Sequence, residues 1–233
     1  MYFDPPLIPG RLISRYKRFL SDIRLDTGET ITAHVANPGA MLGLKAPGTE
    51  VLVSRSNNPK RKLPFSWEMA LINQNWVGVN TSRPNHLVEE AIVKGTISEL
   101  AGYQNMRREV PYGGNSRVDF LLEKGSGDCF LEVKNCHLMR EPGLAEFPDS
   151  VTKRGTKHLE ELSILSRQGI RSVVIIVVQR QDCTQFGVAS DIDPNFSKAW
   201  TKAIGDGVET ICYSCALSHN EIIIDKPIPI KNC

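Results

Sequence analysis

Two short apolar segments separated by a glycine-rich turn constrain the fold of this chain more than any other feature. Residues 116–122 have the sequence SRVDFLL, residues 129–135 have the sequence CFLEVKN, and residues 124–128 (KGSGD) lie between them. A turn of this composition between two apolar runs predicts a β-hairpin. Because strand side chains alternate between faces, Glu132 and Lys134 share one face while Leu131 and Val133 point into a core. The hairpin is expected to bring Asp119 beside Glu132, which places two carboxylates and one ammonium on a single patch.

This set of charged groups suits phosphodiester hydrolysis. Two carboxylates can hold Mg²⁺, which keeps several waters and takes its remaining ligands from a substrate phosphate. The bound ion lowers the pKa of a water and polarises the phosphoryl oxygen. Lys134 would orient the nucleophile or neutralise the charge that develops at phosphorus. We therefore predict Asp119 and Glu132 as catalytic ligands of Mg²⁺ or Mn²⁺, and Lys134 as the charge stabiliser.

The hairpin resembles the catalytic motif of the PD-(D/E)xK nuclease superfamily, in which an aspartate precedes Glu-x-Lys. Val118 stands where that motif has its proline, the member with the least chemical role. An alternative interpretation is a solvent-facing polar strand edge, because Glu-x-Lys occurs by chance in many proteins. The apolar residues around the charges favour half-buried strands, where charged side chains are rarely left unpaired.

The distribution of charge along the chain is uneven. The 233 residues suffice for one large domain or two small ones, with a net charge of +2. Residues 1–80 hold ten Lys or Arg and six Asp or Glu, a balance of +4, which leaves −2 for residues 81–233. A basic part joined to an acidic part with a metal site suits a protein that binds a polyanion. Scattered solubilising charge explains the same count equally well.

Targeting signals are not evident in the sequence. The N-terminus has neither a basic region nor an apolar stretch, and the apolar run at residues 173–178 is far too short to cross a bilayer. Six cysteines in a chain without a signal peptide favour a reducing compartment. We expect a cytoplasmic protein without membrane contact, in which the pair Cys212 and Cys215 is structural.

Two kinds of organisation follow each other along the chain. Residues 1–80 contain five short apolar runs split by turn residues, which predict an OB-like antiparallel β-barrel. Residues 81–233 predict an αβ sandwich, a mixed sheet with helices on both faces. Its predicted helices are one capped by Asn85 and running to Ile92, a second over residues 150–167 and a third over residues 196–204. Further strands are predicted at residues 170–178, 208–213 and 221–224.

The whole chain resembles the sugar fermentation stimulation protein family, SfsA. The matching stretches are residues 15–20 (RYKRFL), 37–41 (NPGAM), 60–62 (KRK), 90–92 (EAI), 117–120 (RVDF), 132–134 (EVK), 147–149 (FPD) and 154–159 (RGTKHL). The resemblance implies an OB-like N-terminal domain and a PD-(D/E)xK, restriction-endonuclease-like C-terminal domain. It also implies DNA binding and a role in regulating sugar catabolism, maltose utilisation in particular.

Basic residues in these stretches are the expected contacts to nucleic acid. The run at residues 15–19 interleaves cations with aromatic rings, which suits phosphate contacts beside a base-stacking platform, although a barrel strand with solvated cations explains it too. A loop tip after Asn57-Asn58-Pro59 is expected at residues 60–62. Glu90, three residues beyond Leu87 on its helix, is a further catalytic candidate, with an exposed helix charge as the alternative. The predicted nucleic-acid-binding residues are Arg15, Lys17, Arg18, Lys60, Arg61, Lys62, Arg117, Arg154 and Lys157.

The sequence favours a metal-dependent endo- or exodeoxyribonuclease. A non-enzymatic DNA-binding regulator that uses a nuclease fold is the competing hypothesis, and a sugar-binding or scaffold protein is a third. The intact Asp, Glu and Lys set favours the enzyme, because a purely binding role would not require it. The pattern leaves the strandedness of the DNA, DNA versus RNA, and the oligomeric state open.

Overall fold

A computed structural model describes residues 1–114, 116–125 and 127–231, so that Ser126 of the predicted turn and Cys233 lie outside it. The N-terminal part contains six strands: β1 (Ile8–Tyr16), β2 (Leu20–Leu25), β3 (Thr30–His34), β4 (Glu50–Arg55), β5 (Phe65–Ile72) and β6 (Asn75–Gly78). The C-terminal part contains helices α1 (Pro84–Val93), α2 (Lys153–Arg167) and α3 (Pro194–Gly205), with a 3₁₀ turn at Ser98–Leu100. Its strands are β7 (Asn105–Tyr112), β8 (Ser116–Glu123), β9 (Cys129–Cys136), β10 (Leu138–Glu141), β11 (Leu144–Phe147), β12 (Arg171–Val178), β13 (Gln185–Val188), β14 (Glu209–Leu217) and β15 (Ile222–Pro227).

The first five strands form a closed barrel. β1 pairs antiparallel with β2 and β4, and β4 pairs with β5. The barrel closes where β3 runs parallel to β5 at Ala33 and Phe65. Leu12, Ile23 and Trp67 are almost fully buried inside it. The predicted OB-like barrel is therefore confirmed, and β6 extends it as a hairpin on β5.

Strand β2 is the one barrel strand that the sequence interpretation missed, because a tight turn at residues 17 and 18 separates it from β1. The run at residues 15–19 was open to interpretation as a continuous strand, but Lys17 and Arg18 have φ angles of 45° and 64° and turn the chain between β1 and β2. Left-handed backbone of this kind is uncommon for residues other than glycine. Arg15 stabilises the turn by donating from Nη2 to the carbonyl of Arg18 at 2.8 Å.

The C-terminal part is a mixed sheet covered by helices on both faces, as predicted. Its strand order is β15-β14-β12-β9-β8-β7, with β12 parallel to β9 and β14 and the other pairs antiparallel. Helix α1 packs Leu87 and Ala91 into a cluster with Leu131 of β9. Helices α2 and α3 cover the opposite face, where Leu159 and Trp200 pack in a second cluster. β12 is therefore buried on both sides.

Four strands of this part were not predicted. Strand β7 exposes most of its residues, so its alternation is weak, and β10, β11 and β13 each span four residues. The last three form a separate sheet in which β11 runs parallel to β13. Arg140 of β10 bonds to Glu146 at 2.7 Å and to Asp191 at 2.8 Å. The pairing of β11 with β13 and the bond from Arg140 to Asp191 join distant parts of the chain, which local sequence pattern does not report.

The barrel and the sheet domain share a core. Leu52 and Met69 of the barrel belong to the same apolar cluster as Leu87 and Leu131. Backbone bonds also cross between the two parts, as when the N–H of Gly78 donates to the carbonyl of Gln179 at 2.9 Å. Burial of apolar surface is the dominant favourable term in association, so the two parts hold a defined relative position.

Candidate functional site

The backbone pairing between β8 and β9 ends next to Asp119. Its described register stops at Phe120 and Leu131. One position further, Oδ2 of Asp119 accepts the N–H of Val133 at 2.7 Å, so a side chain takes the place of a strand carbonyl. Oδ1 accepts the side-chain amide of Asn85 at 2.9 Å. Both carboxylate oxygens are thereby fixed in direction.

Asn85 has a different role from the one its sequence position indicated. Helix α1 begins at Pro84, its N-cap is Arg83, and no side chain caps it. Asn85 lies inside the first turn, and its amide reaches Asp119 on β8. The predicted N-cap is therefore wrong by two residues. A polar residue at the start of a helix signals a cap locally, and only the packing of α1 over the sheet gives it this other partner.

Glu132 is 3% exposed, and its two carboxylate oxygens differ in their surroundings. Oε1 accepts from Nζ of Lys134 at 2.6 Å and also bonds to Nδ1 of His158. Oε2 is buried, and no described residue gives it a hydrogen-bond partner. The alternation of strand β9 predicted that Glu132 and Lys134 share a face, and their contact agrees with it. Burying a carboxylate oxygen without a hydrogen-bond partner costs free energy, and a cation or a water bound to Oε2 would offset that cost.

His158 connects Glu132 to a basic helix surface. Nε of Arg154 donates to Nε2 of His158 at 3.3 Å, one helical turn away on α2. Arginine has donors only, so Nε2 accepts and Nδ1 of the imidazole carries the proton that faces Glu132. The side chain of His158 is 5% exposed. The imidazole thus holds the Oε1 side of Glu132 and leaves Oε2 free.

The two carboxyl groups have pKa values shifted in opposite directions. Burial raises the pKa of Asp119, the charge of Glu132 raises it further, and the bonds from Val133 and Asn85 offset only part of the effect. Burial alone would also raise the pKa of Glu132, but Lys134 and His158 together lower it more, so the net pKa is below the usual range. The two pKa values separate because Lys134 and His158 outweigh burial at Glu132, whereas Asp119 keeps its burial penalty and the repulsion from Glu132. A bound cation would relieve it.

The carboxylates of Asp119 and Glu132 are oxygen ligands that suit a hard divalent cation. Asp119 bonds to the N–H of Val133, next to Glu132, and the charge of Glu132 raises the pKa of Asp119. The buried Oε2 of Glu132 has no partner among the described residues. Among the described residues, no three His, Cys, Asp or Glu side chains form a set that could hold a metal ion. A cation here would therefore need water or substrate oxygens in addition, which is how Mg²⁺ is usually bound.

Tyr112 and Glu161 are two further buried groups that sequence reasoning missed. The hydroxyl of Tyr112 and Oε2 of Glu161 are buried without hydrogen-bond partners in the described structure. Burial raises the pKa of Tyr112, and the charges of Glu132, Glu161 and Asp119 raise it further. Tyr112 lies at the end of the unpredicted strand β7, so no sequence signal connected it to the carboxylates.

Glu90 does not join this group. Its Oε1 accepts from Lys94 at 2.5 Å, and its Oε2 pairs with the terminal ammonium of Met1. These two cations lower the pKa of Glu90, Lys94 more than the terminus. The interpretation that Glu90 points into the site is corrected accordingly. Its helix position was right, but α1 turns this side chain towards the N-terminus of the chain.

Basic side chains line a cavity of about 460 Å³ beside His158. The predicted residues Arg117, Arg154 and Lys157 all line it, and Lys153 is an addition. Glu109 is the one carboxylate among the lining residues, although Glu161 lies 3.7 Å from Lys157. The cavity therefore combines four cations with one acidic lining residue next to the buried carboxylates.

The basic residues of the barrel divide into three roles. Arg15 is half-buried and donates from Nη2 to the carbonyls of Asn37 at 2.9 Å and Gly39 at 3.2 Å, so it stabilises a loop. Lys17 and Arg18 are exposed at the β1–β2 turn. The exposed residues 60–62 lie in the loop between β4 and β5, as expected, where Arg61 donates to Ser66 at 3.0 Å.

The cysteines and helices bear on two further expectations. Cys212 and Cys215 both lie on strand β14. In the described structure they are free, buried thiols, as are Cys129, Cys136 and Cys183. Burial raises the pKa of Cys215 above its usual range. No helix in the described ranges is long and apolar enough to span a membrane.

Comparison with known proteins identifies relatives over the full chain. Residues 82–221 match the family model described as the sugar fermentation stimulation protein RE domain, and residues 13–79 match that of the SfsA N-terminal OB domain. A sugar fermentation stimulation protein homolog of Methylobacterium nodulans is 53% identical over 234 residues, covering 99% of each chain. One of Paramagnetospirillum magneticum is 52% identical over 229 residues, covering 98% of this chain and 97% of the relative.

A solved structure has the same fold. The structure of Pyrococcus furiosus SfsA in complex with Ca²⁺ superposes with a TM-score of 0.91 at 26% identity, covering 100% of this chain and 98% of that one. Family models, relatives and fold agree over nearly all residues. This chain belongs to the sugar fermentation stimulation protein family, SfsA.

Proposed function

We propose that this protein binds DNA and hydrolyses phosphodiester bonds with Mg²⁺ or Mn²⁺ held by Asp119 and Glu132. The observation that carries the proposal is the buried Oε2 of Glu132, which has no partner among the described residues, on the side chain whose charge raises the pKa of Asp119. The Pyrococcus relative, solved with Ca²⁺, supports a divalent cation in this family. The finer assignment, a PD-(D/E)xK nuclease, rests on the residues of the β8–β9 hairpin.

The chain's own residues divide the work. When bound, the cation would supply an activated water and a polarised phosphoryl oxygen. Asp119 is already oriented by Val133 and Asn85, so its carboxylate loses little freedom on binding. Lys134 holds an ammonium 2.6 Å from Oε1 of Glu132, where it can stabilise negative charge that develops at phosphorus.

Arg154 and His158 act on the geometry of Glu132. The chain of bonds from Arg154 through His158 fixes which oxygen of Glu132 stays available. Outer partners of this kind orient ligand side chains and tune their basicity. In this proposal His158 is a positioning residue.

The basic cavity supplies the grip on the phosphate backbone. Arg117, Lys153, Arg154 and Lys157 line it beside His158. Cations that neutralise phosphates give sequence-independent affinity with a strong salt dependence. Binding through this cavity would bring a phosphodiester next to the carboxylates.

A binding-only regulator of sugar catabolism genes, maltose genes in particular, is the second candidate. The observation in its favour is that Lys134 and His158 already satisfy Oε1 of Glu132, so the group is a structural ion pair in its own right. The described residues also offer no complete set of three metal-binding side chains. Such a protein would bind DNA and leave it intact.

Nicking by the parent and by a Lys134 variant separates the two candidates. Single-stranded, duplex and branched DNA are incubated with Mg²⁺, with Mn²⁺ and with EDTA. Lys134→Ala would also break a buried ion pair, which costs about 3–5 kcal/mol. Lys134→Gln is therefore tested beside it, because an amide can still donate towards Glu132, and thermal melts of both variants verify folding.

The proposal expects metal-dependent cleavage by the parent and a loss of at least about 100-fold in both folded variants. Lys226→Ala is the matched control, since Lys226 is an exposed lysine on β15. A mock purification controls for contaminating nucleases. Equal cleavage by parent and Lys134 variants would assign the activity elsewhere, and no cleavage on any substrate would favour the binding-only regulator.

A further inference from the structure

The turn between β1 and β2 presents an exposed aromatic ring with a cation on it. Phe19 is 42% exposed, although it is a large apolar side chain. The guanidinium of Arg18 lies 5.6 Å from the centre of the Phe19 ring, and His34 stacks with the ring at 6.5 Å. An aromatic face next to a cation is the arrangement on which unpaired bases stack.

This platform is held rigidly. Arg15 bonds to the carbonyls of Arg18 and Asn37, and Nε of Arg18 donates to the carbonyl of Pro38 at 3.0 Å. The turn is thereby tied to the neighbouring loop of the barrel. Because the turn is already ordered, stacking of a ligand on Phe19 would cost little conformational entropy of the protein, which favours affinity.

Arg18 also lines a cavity of about 390 Å³ between the barrel and the sheet domain. The barrel side is formed by Arg18, residues 37–39 and Thr81, and the other side by Asn135, His137 and residues 147–154. Asp149 is engaged inside this wall, where its Oδ2 accepts the N–H of Met41 at 3.1 Å. A Cβ on Gly39 would lie 2.3 Å from Oδ2 of Asp149, so only glycine allows this close approach.

The cavity shares part of its wall with the basic cavity beside His158. Lys153 and Arg154 line both of them. Two cavities with shared lining residues thus lie between Arg18, whose guanidinium is next to the ring of Phe19, and His158 on Glu132. We call this series of residues the path. Arg18, Lys153, Arg154 and Arg117 have no carboxylate within salt-bridge distance among the residues that the structure describes. Glu109 and Asp149 are the carboxylates among the lining residues of the two cavities, so cations outnumber them along the path. An excess of cations of this kind matches the phosphates of one strand.

We propose that this path binds a single strand of DNA, with a base stacked on Phe19 and phosphates on Arg18, Lys153 and Arg154. This rests on the proposed function only for the delivery of the strand to Asp119 and Glu132. Unpaired bases offer their faces to an aromatic ring, whereas the bases inside a duplex cover each other. The exposed Phe19 therefore selects single strands, or single-stranded ends, over continuous duplex.

Fluorescence anisotropy with labelled oligo(dT) and with a closed duplex tests the path. EDTA is present, so that binding is measured without cleavage, and the oligo(dT) length is varied. Phe19→Ala should weaken binding of long single strands about 5- to 150-fold, the value of one stacked base, and leave duplex affinity within about twofold. Ile13→Ala is the matched control, since Ile13 is 40% exposed on the same barrel, and it should change neither.

The length series and Arg154→Ala test whether the two ends belong to one path. Arg154→Ala should weaken all lengths, whereas the loss from Phe19→Ala should appear only once the strand is long enough to reach the barrel. Equal loss for single strand and duplex in Phe19→Ala, or no loss in either, would overturn the inference. Strand binding that depends on Phe19, together with no cleavage of any substrate in the nicking assay with Mg²⁺ and Mn²⁺, would support this inference and refute the nuclease. Cleavage in the nicking assay, together with strand binding that does not depend on Phe19, would do the reverse.

Discussion

Replacing Asp119 by asparagine tests the electrostatics of the site without requiring any catalytic activity. The carboxylate accepts two bonds, from Val133 and from Asn85. Asparagine keeps one oxygen for Val133, and Asn85 can present its own carbonyl to the new amide after rotating its side chain. Asp119→Asn therefore preserves the hydrogen bonds and removes only the negative charge.

The direction of the stability change follows from the pKa. Because the pKa of Asp119 is raised in the folded protein, by burial first and then by Glu132, its ionised form destabilises the fold. The stabilising contribution of this group is complete below its unfolded pKa, about 4, and is lost as the pH rises through the folded value. In EDTA, Asp119→Asn should thus be more stable than the parent at neutral pH. The difference should shrink as the pH falls towards 4.

Cations should reverse the order of the two proteins. A ligand at ten times its Kd stabilises by about 1.4 kcal/mol, which is a rise in Tm of about 3–6 °C for a chain of this size. The parent should show this rise with Mg²⁺, Mn²⁺ or Ca²⁺, and Asp119→Asn should show little or none. Scanning calorimetry at constant ionic strength measures both effects.

A matched control separates the site from general charge effects. Asp225→Asn removes an exposed carboxylate on β15 and should leave both the stability in EDTA and the response to cations unchanged. An equal rise in Tm for the parent and Asp119→Asn would show that Asp119 is not a ligand. A less stable Asp119→Asn in EDTA at neutral pH would refute the reasoning from repulsion between Asp119 and Glu132.

Two further predictions concern the other carboxylate and the barrel loop. Glu132→Gln should lose the cation-induced rise in Tm yet keep or increase DNA affinity, because a negative charge near phosphate is removed. Isothermal titration with Ca²⁺ measures cation binding, and fluorescence anisotropy measures DNA affinity. Unchanged Ca²⁺ binding would contradict the assignment of Glu132 as a ligand. Alanine at Lys60, Arg61 and Lys62 together should weaken binding to unrelated DNA sequences alike, and each lost phosphate contact should lower the log–log salt slope by about 0.9 on duplex or 0.7 on single strand. An unchanged slope would mean that this loop faces solvent when DNA is bound.

Local sequence pattern was sufficient for much of this fold. Alternation along residues 129–135 predicted that Leu131 and Val133 enter the core while Glu132 and Lys134 share the other face, which their 2.6 Å contact matches. The patterns at residues 150–167 and 170–178 predicted a helix and a strand, which are α2 and β12 in the structure. These features depend only on backbone period and side-chain polarity, which are properties of the chain itself.

The partners of the polar groups were decided by the tertiary structure. Asn85 bonds to Asp119 across 34 residues of sequence, and His158 bonds to Glu132 across 26. Glu90 was assigned to the site from its helix, but the fold brings it to Met1 instead. Arg15 was assigned to DNA, yet the loop at Asn37 uses its guanidinium.

The physical reason is the difference between a direction and a partner. Period determines which face of a strand or helix a side chain points from, because that follows from backbone geometry within a few residues. A hydrogen bond or ion pair requires a second group at the right distance and angle, and the position of that group depends on how distant elements pack. The sequence by itself therefore determined the barrel, the mixed sheet and the face that carries Glu132 and Lys134. Only the tertiary structure decided which oxygen of Glu132 has no partner among the described residues, and which cations line the cavity beside His158.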